Sequence, residues 1–147
     1  MPAVRPPLAD YRHVIPLTPR WMDNDVYGHV NNVAYYSFFD TAANHYLIHE
    51  GGLDIHSATV IGLVVESHCI YHAPLTYPDP IRVALRVDRL GNRAVTYGLA
   101  IFAGAHATPG ELAAAHGEFV HVFVDRATRT PAAIPSTLRA ALEQLVA

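Results

Sequence analysis

Residues 33–48 form the segment that most limits how this chain can fold. The pattern predicts a helix that is apolar almost all the way round. Gly51 and Gly52 follow it and favour the left-handed conformation that ends a helix. A helix without a polar face has to be covered on several sides, so the rest of the chain must wrap around it. The apolar residues of the segment include Val33, Ala34, Tyr35, Tyr36, Phe38, Phe39, Ala43 and Leu47.

The rest of the chain has the alternating patterns of strands. A short strand is predicted at residues 11–16 and longer ones at 60–72, 81–88, 94–103 and 111–125, followed by a helix at 137–146 that Ser136 caps. Short connections favour antiparallel pairing. The pattern therefore predicts an α+β fold, in which a curved antiparallel sheet of about five to six strands wraps around one long central helix. A short C-terminal helix completes it.

Length and composition narrow the function classes. A chain of 147 residues is predicted to be a single domain, 1–147, with residues 1–10 as a loose N-terminal arm that carries three of the eleven prolines. A net charge of −3 without any lysine gives no general attraction to nucleic acid or to an anionic membrane. No apolar run reaches the roughly 20 residues of a membrane span. One cysteine, Cys69, suits a cytoplasmic protein.

A polar stretch, residues 20–32, leads directly into the predicted helix. It contains the carboxylates Asp23 and Asp25, the imidazole of His29 and the flexible Gly28. Asn31 or Asn32 is suited to cap the helix, because the side chain can accept a hydrogen bond from an amide of the first turn. Helix N-termini stabilise negative charge. A reactive carboxylate and an anion-stabilising site would therefore be neighbours, although Asp23 and Asp25 are equally typical of turns.

The segment from Asp23 to Tyr35, Asp-Asn-Asp-Val-Tyr-Gly-His-Val-Asn-Asn-Val-Ala-Tyr, resembles the signature of the 4-hydroxybenzoyl-CoA thioesterase family. It is also similar to the Asp-Val-Asn-Gln-His-Val-Asn-Asn stretch of plant acyl-ACP thioesterases. The resemblance extends through Glu66, Tyr71 and Pro74, through Phe123-Val124-Asp125 and through Ile134-Pro135. It implies the hotdog fold, which is the architecture that the strand and helix pattern predicts.

The resemblance also implies roles for individual residues. The catalytic aspartate of the family falls on Asp25, as nucleophile or as general base toward water, and its carbonyl-polarising helix amide falls on Asn32. His29 matches the histidine of the plant enzymes, where it either polarises the site or holds the loop. The plant enzymes have an asparagine between the aspartate and the histidine, whereas this chain has Tyr27. This difference argues against a mechanism that uses three polar residues as in the plant enzymes.

These roles predict hydrolysis of acyl-CoA, or of an acyl-carrier-protein thioester, without metal or cofactor beyond the coenzyme A of the substrate. The acyl group is expected along the central helix, with the thiol arm leaving at a subunit boundary. The resemblance implies a homodimer with shared active sites, or a homotetramer. The residues expected to bind substrate are Tyr27, Gly28, Val33, Tyr36, Glu66, His68 and Pro74.

Several other interpretations fit the same residues. The fold also serves enoyl-thioester hydratases and dehydratases, and a non-catalytic acyl-thioester binding protein would share it. His45 and His49 have a spacing that can bind zinc, although no third ligand is evident. Cys69 paired with a histidine is an alternative nucleophile, but buried structural thiols are commoner. Three arginines near the predicted turn at Gly91 are candidates for coenzyme A phosphates: Arg86, Arg89 and Arg93.

Overall fold

The structure is a computed structural model that describes residues 4–146. Its long helix, α1, spans Asn32–His49, and its short C-terminal helix, α2, spans Ser136–Glu143. The five strands are β1 (His13–Leu17), β2 (Val60–Tyr71), β3 (Ile81–Leu90), β4 (Ala94–Ala103) and β5 (Ala115–Asp125). Each predicted element is present. Strand β5 begins four residues later than the predicted start at Glu111, whose side chain is held by Arg82 instead.

The five strands form one curved antiparallel sheet in the order β1-β3-β4-β5-β2. Strands β3 and β4 form a hairpin, and β4 pairs with β5 across a longer connection. Strand β2 does not lie next to β3, its successor in the chain, but pairs with β5 at the edge of the sheet. The predicted antiparallel pairing is confirmed. The order of the strands was not predicted, and residues 72–80 carry the chain from one side of the sheet toward the other.

Helix α1 packs one side against the inner face of the sheet. This side is buried, with Phe39 and Ala43 fully inaccessible, and it meets alternate residues of β3, β4 and β5 such as Leu85, Tyr97 and Phe123. The opposite side of the helix is exposed and contains Ser37, Asp40, Thr41 and His45. The prediction that the helix has no polar face was therefore wrong, since the polar residues among the apolar ones form an exposed stripe.

The N-terminal segment packs on the outer face of the sheet. Arg5 donates to the carbonyl of Ala113 at 2.9 Å, and the Ala113 amide donates to Pro6. Residues 5–10 are therefore attached rather than loose, and residues 1–3 of the predicted arm lie outside the described residues. Within residues 4–146, no helix is long and apolar enough to cross a membrane. The segment borders a second apolar cluster, formed by Tyr11, Ala84, Ala100, Phe102 and Ala113.

Candidate active site

The polar stretch before helix α1 is built around the buried carboxylate of Asp23. One oxygen accepts the Arg20 amide at 2.6 Å, and the other lies 2.9 Å from the Arg20 guanidinium. Burial alone would raise the pKa of Asp23, but the hydrogen bonds from Arg20 outweigh it and lower that pKa. The Asp23 carbonyl also accepts the amide of Asn31 at 2.7 Å. Asp23 thus fixes both ends of the loop and does not line the cleft described below.

Asp25 begins a tight turn. Its Oδ1 atom accepts the amide of Tyr27 at 2.9 Å, which is the Asx-turn that the sequence alone left open. The amide of Gly28, at φ +82°, closes the turn onto the Asp25 carbonyl at 3.1 Å. The Asp25 amide in turn donates to the carbonyl of His29 at 3.0 Å. Within residues 4–146, Oδ2 of Asp25 has no hydrogen-bond partner, so this oxygen is available to a substrate or a water molecule.

Helix α1 begins at the far end of the same loop. Asn31 is the N-cap, and its side chain accepts the amide of Val33 at 3.0 Å. The amide of Asn32, the first helical residue, has no acceptor among the described residues. Such an amide at a helix N-terminus is a donor for an anion or for an oxygen that becomes anionic.

A cleft of about 510 Å³ joins these groups. It contains Asp25, His29, Asn32 and Pro74 of the predicted site residues. The imidazole of His29 lines the cleft and makes no hydrogen bond within residues 4–146, so the loop is held through its main chain instead. The cleft is also lined by residues to which the sequence assigned no definite role, namely Val30, Tyr35, Tyr71, His72 and Ala73.

Tyr71 and His72 connect the cleft to the sheet. The hydroxyl of Tyr71 donates to the carbonyl of Asn32 at 3.1 Å, and burial raises the pKa of Tyr71, so the phenol stays protonated. The ring of His72 forms a 2.9 Å nitrogen–nitrogen hydrogen bond with His116 on β5. Burial lowers the pKa of both histidines, which favours the neutral form. No motif marks the His116 contact, because it joins residues 44 positions apart.

The remaining residues of the predicted substrate site lie outside this cleft. Tyr27 and Val33 are exposed beside it, and Gly28 lines a neighbouring hollow. Tyr36 stacks on Phe119, at 6.5 Å between ring centroids. Two others lie on the edge strand β2, where Glu66 is exposed at an irregularity and His68 lies 3.9 Å from the Glu118 carboxylate.

The structure also bears on the competing chemistries. Burial raises the pKa of the Cys69 thiol to about 11, so it is not a thiolate near neutral pH. The rings of His45 and His49 lie 4.2 Å apart, and no group of three or more potential metal ligands occurs within residues 4–146. Arg86 is bound to Asp88 at 2.7 Å. Arg89 and Arg93 line a separate hollow of about 430 Å³ near the β3–β4 turn.

The fold and the cleft together define a hotdog-fold thioesterase. The chain belongs to the Thioesterase-like superfamily, whose family model matches residues 19–142. The resemblance found in the polar stretch is thereby confirmed at the level of the family. Among proteins of curated function, none matches the chain.

Solved structures agree with this assignment. The PA5185 protein of Pseudomonas aeruginosa strain PAO1 is similar at 54% identity and a TM-score of 0.92, with 98% of each chain covered. The DHNA-CoA thioesterase of Staphylococcus aureus shares 20% identity and a TM-score of 0.74, over 89% of this chain and 86% of that one. The BH1999 gentisyl-coenzyme A thioesterase shares 22% identity and a TM-score of 0.75, over 88% and 99%. The last two likenesses concern the fold alone.

Proposed function

We propose that this protein hydrolyses acyl-CoA, or acyl-carrier-protein thioesters, to a free acid and a thiol. One observation carries the proposal: Asp25 and Asn32 line the same cleft, and a carboxylate oxygen of the first and the amide of the second have no partner among residues 4–146. Thioester hydrolysis requires a nucleophile, or a base for water, together with a donor at the developing oxyanion. Two fold relatives, the gentisyl-coenzyme A and DHNA-CoA thioesterases, act on coenzyme A thioesters by their names.

In the proposed reaction the thioester carbonyl oxygen accepts a hydrogen bond from the Asn32 amide. As general base, Asp25 takes a proton from water while the water oxygen bonds to the carbonyl carbon. The negative charge on the carbonyl oxygen is then stabilised by the helix N-terminus. When the carbon–sulfur bond breaks, the thiolate leaves with the electron pair and takes up a proton. No metal or cofactor takes part in this sequence.

As nucleophile, Asp25 would instead bond to the carbonyl carbon and expel the thiolate. Water would then hydrolyse the resulting anhydride. The two routes differ in the fate of the water oxygen. The test is a single turnover in water labelled with heavy oxygen. When this water attacks the side-chain carbonyl carbon of Asp25 in the anhydride, the label remains in the Asp25 carboxylate. Mass spectrometry of the peptide that contains Asp25 detects it. The general-base route labels only the acid product.

The proposal includes a homodimer. Strand β2 lies at the edge of the sheet, so its outer backbone groups have no strand partner within residues 4–146. It carries exposed apolar residues, including Val64 (44% exposed) and Val65 (61% exposed). Long apolar edge strands are seldom left open to solvent, and pairing with the same strand of a second copy would cover this one. A cytoplasmic location belongs to the same proposal.

The test is thiol release from a panel of acyl-CoA and acyl-carrier-protein thioesters. Wild-type protein is expected to release thiol, and Asp25→Asn is expected to lower turnover by about two orders of magnitude or more while binding persists. Asp40→Asn, which changes an exposed carboxylate on the far side of helix α1, is the matched control and should keep wild-type rates. Wild-type turnover by Asp25→Asn would contradict the mechanism. A change in enoyl-CoA absorbance without thiol release would indicate a hydratase, and tight binding without either would indicate a binding protein.

A further inference from the structure

A second hollow, of about 640 Å³, adjoins the cleft on the other side of Asp25. Its large side chains are Trp21, Met22 and Val26, which are 77%, 73% and 94% exposed. Asn24, Asp25 and Gly28 complete its lining. We call it the loop hollow. Three large apolar side chains exposed within six residues make the loop hollow a candidate binding surface.

The loop hollow is held in a fixed shape. Trp21 and Met22 belong to one turn of 3-10 helix that ends at the buried Asp23. The indole of Trp21 packs edge-on against Tyr77, at 5.8 Å between ring centroids. The side chain of Asn24 accepts the amide of the same Tyr77 at 3.2 Å. The apolar side chains are therefore presented by a well-anchored backbone, which lowers the entropy lost when they bind a ligand.

Asp25 is the residue that the loop hollow and the cleft share. The two spaces differ in their lining, because the cleft contains the polar residues Asn32, Tyr71 and His72 beside apolar ones, whereas the three large side chains of the loop hollow are all apolar. A thioester substrate is divided in the same way about its carbonyl. Its thiol arm carries amides, and its acyl group is a hydrocarbon.

We infer that the loop hollow holds the acyl group and the cleft holds the thiol arm, with the carbonyl at Asp25. This inference rests on the proposed function and adds a substrate class: acyl groups with a ring or a medium-length hydrocarbon chain. It replaces the sequence-based expectation that the acyl group lies along helix α1, near Tyr27, Val33 and residues 66–74, with Tyr36 in contact. That residue stacks on Phe119 and does not line either space.

Substitutions in the loop hollow test the inference through selectivity. Val26→Trp fills the hollow, so kcat/KM for hexanoyl-CoA and benzoyl-CoA should fall about ten-fold or more while that for acetyl-CoA changes little. Trp21→Ala enlarges it and should shift the preference toward longer chains. Ile55→Trp, at an exposed apolar position in another loop, is the control and should leave all three substrates unaffected. Equal losses on all three substrates would overturn the inference.

A binding measurement tests the same inference without hydrolysis. Trp21 is the single tryptophan of the chain, so its fluorescence reports on the loop hollow alone. In the Asp25→Asn variant, saturating hexanoyl-CoA should shift the emission to shorter wavelength, whereas coenzyme A should not. Bound hexanoyl-CoA without such a shift would overturn the inference, even if hydrolysis is confirmed. A shift without turnover by the wild type would support it and contradict the proposed function.

The third measurement is the molecular mass in solution. If a second copy of the chain covered the loop hollow, Trp21→Ala and Val26→Trp would change the mass measured by light scattering. Such a change would overturn the inference in favour of a subunit contact. The expected result is the wild-type mass for both variants and for Ile55→Trp.

Discussion

The hydroxyl of Tyr71 donates a hydrogen bond to the main-chain carbonyl of Asn32, which lies 39 residues earlier in the chain. This bond ties the end of the edge strand β2 to the first turn of helix α1. The ring of Tyr71 also packs edge-on against Tyr35, at 4.9 Å between centroids. The strand thereby helps to fix the direction of the helix amide that faces the cleft.

Tyr71→Phe is expected to loosen this connection. A single hydrogen bond of this type contributes about 1 kcal/mol, so kcat should fall several-fold and the free energy of unfolding by a similar energy. Tyr46→Phe is the matched control, because its hydroxyl also donates to a main-chain carbonyl, that of Ala141, far from the cleft. Thiol-release kinetics and urea unfolding measure both effects. An equal loss of kcat in the two variants would show that Tyr71 acts on stability alone.

Gly28→Ala tests the turn that presents Asp25. Gly28 has φ +82°, and a Cβ atom there would meet no atom within 4 Å, so the cost of alanine is conformational rather than steric. That cost is about 1–2 kcal/mol. The turn is expected to relax and misplace Asp25. The kcat should therefore fall even under conditions in which the Gly28→Ala variant is fully folded. Gly110→Ala is the control, since it has φ +69°, an equally open surrounding and no place in the cleft.

Glu111→Ala is expected to destabilise the protein strongly without changing its chemistry. Glu111 pairs with Arg82, whose guanidinium also donates to the carbonyls of Ala103 and Gly104 at 2.8 and 2.9 Å. The Arg82 side chain is 7% exposed, so removing its partner leaves a buried charge and should cost about 3–5 kcal/mol. Urea unfolding measures the loss. The double variant Arg82→Met with Glu111→Leu should recover much of the lost free energy of unfolding. A small recovery would mean that the hydrogen bonds from Arg82 to the two carbonyls contribute most of the stability.

The buried pair of His121 and Tyr97 predicts a pH dependence of stability. His121 is 2% exposed, and burial lowers its pKa from 6.5 to about 4. The unfolded chain therefore binds a proton at a pH where the folded chain does not, so the free energy of unfolding falls as pH falls from about 6.5 to about 4. Below about pH 4 the loss in the free energy of unfolding reaches roughly 3 kcal/mol.

The measurement is urea unfolding across that pH range. The double variant His121→Leu with Tyr97→Phe removes the histidine together with the hydroxyl that lies 3.2 Å from it. It should reduce the pH dependence between about 4 and 6.5, and the dependence that remains is expected from other histidines whose pKa burial lowers, His72 and His116 among them. His106→Asn, which changes an exposed histidine, should keep the wild-type slope. An unchanged slope in the double variant would assign the dependence to other groups.

Local sequence was sufficient for the elements and for part of the site. Alternation along residues 81–88 and 94–103 predicted their strands, because the side-chain period of a strand is visible within a few residues. The run from Asp25 to Asn32 predicted a turn followed by a helix N-terminus, since caps and turns are local as well. These residues come together in the cleft because they are neighbours in the chain.

Contacts between distant segments were decided only by the tertiary structure. The position of β2 beside β5, the bond from Tyr71 to Asn32 and that between His72 and His116 join residues far apart, and no local pattern distinguishes them from other strand residues. Glu66 and His68 have the two-residue spacing of side chains on one face of a strand, but they lie on an edge strand. The sequence thus determined which groups can react, because their chemistry is local. Packing decided which of them share the cleft, because that depends on how the sheet curves and which strands pair.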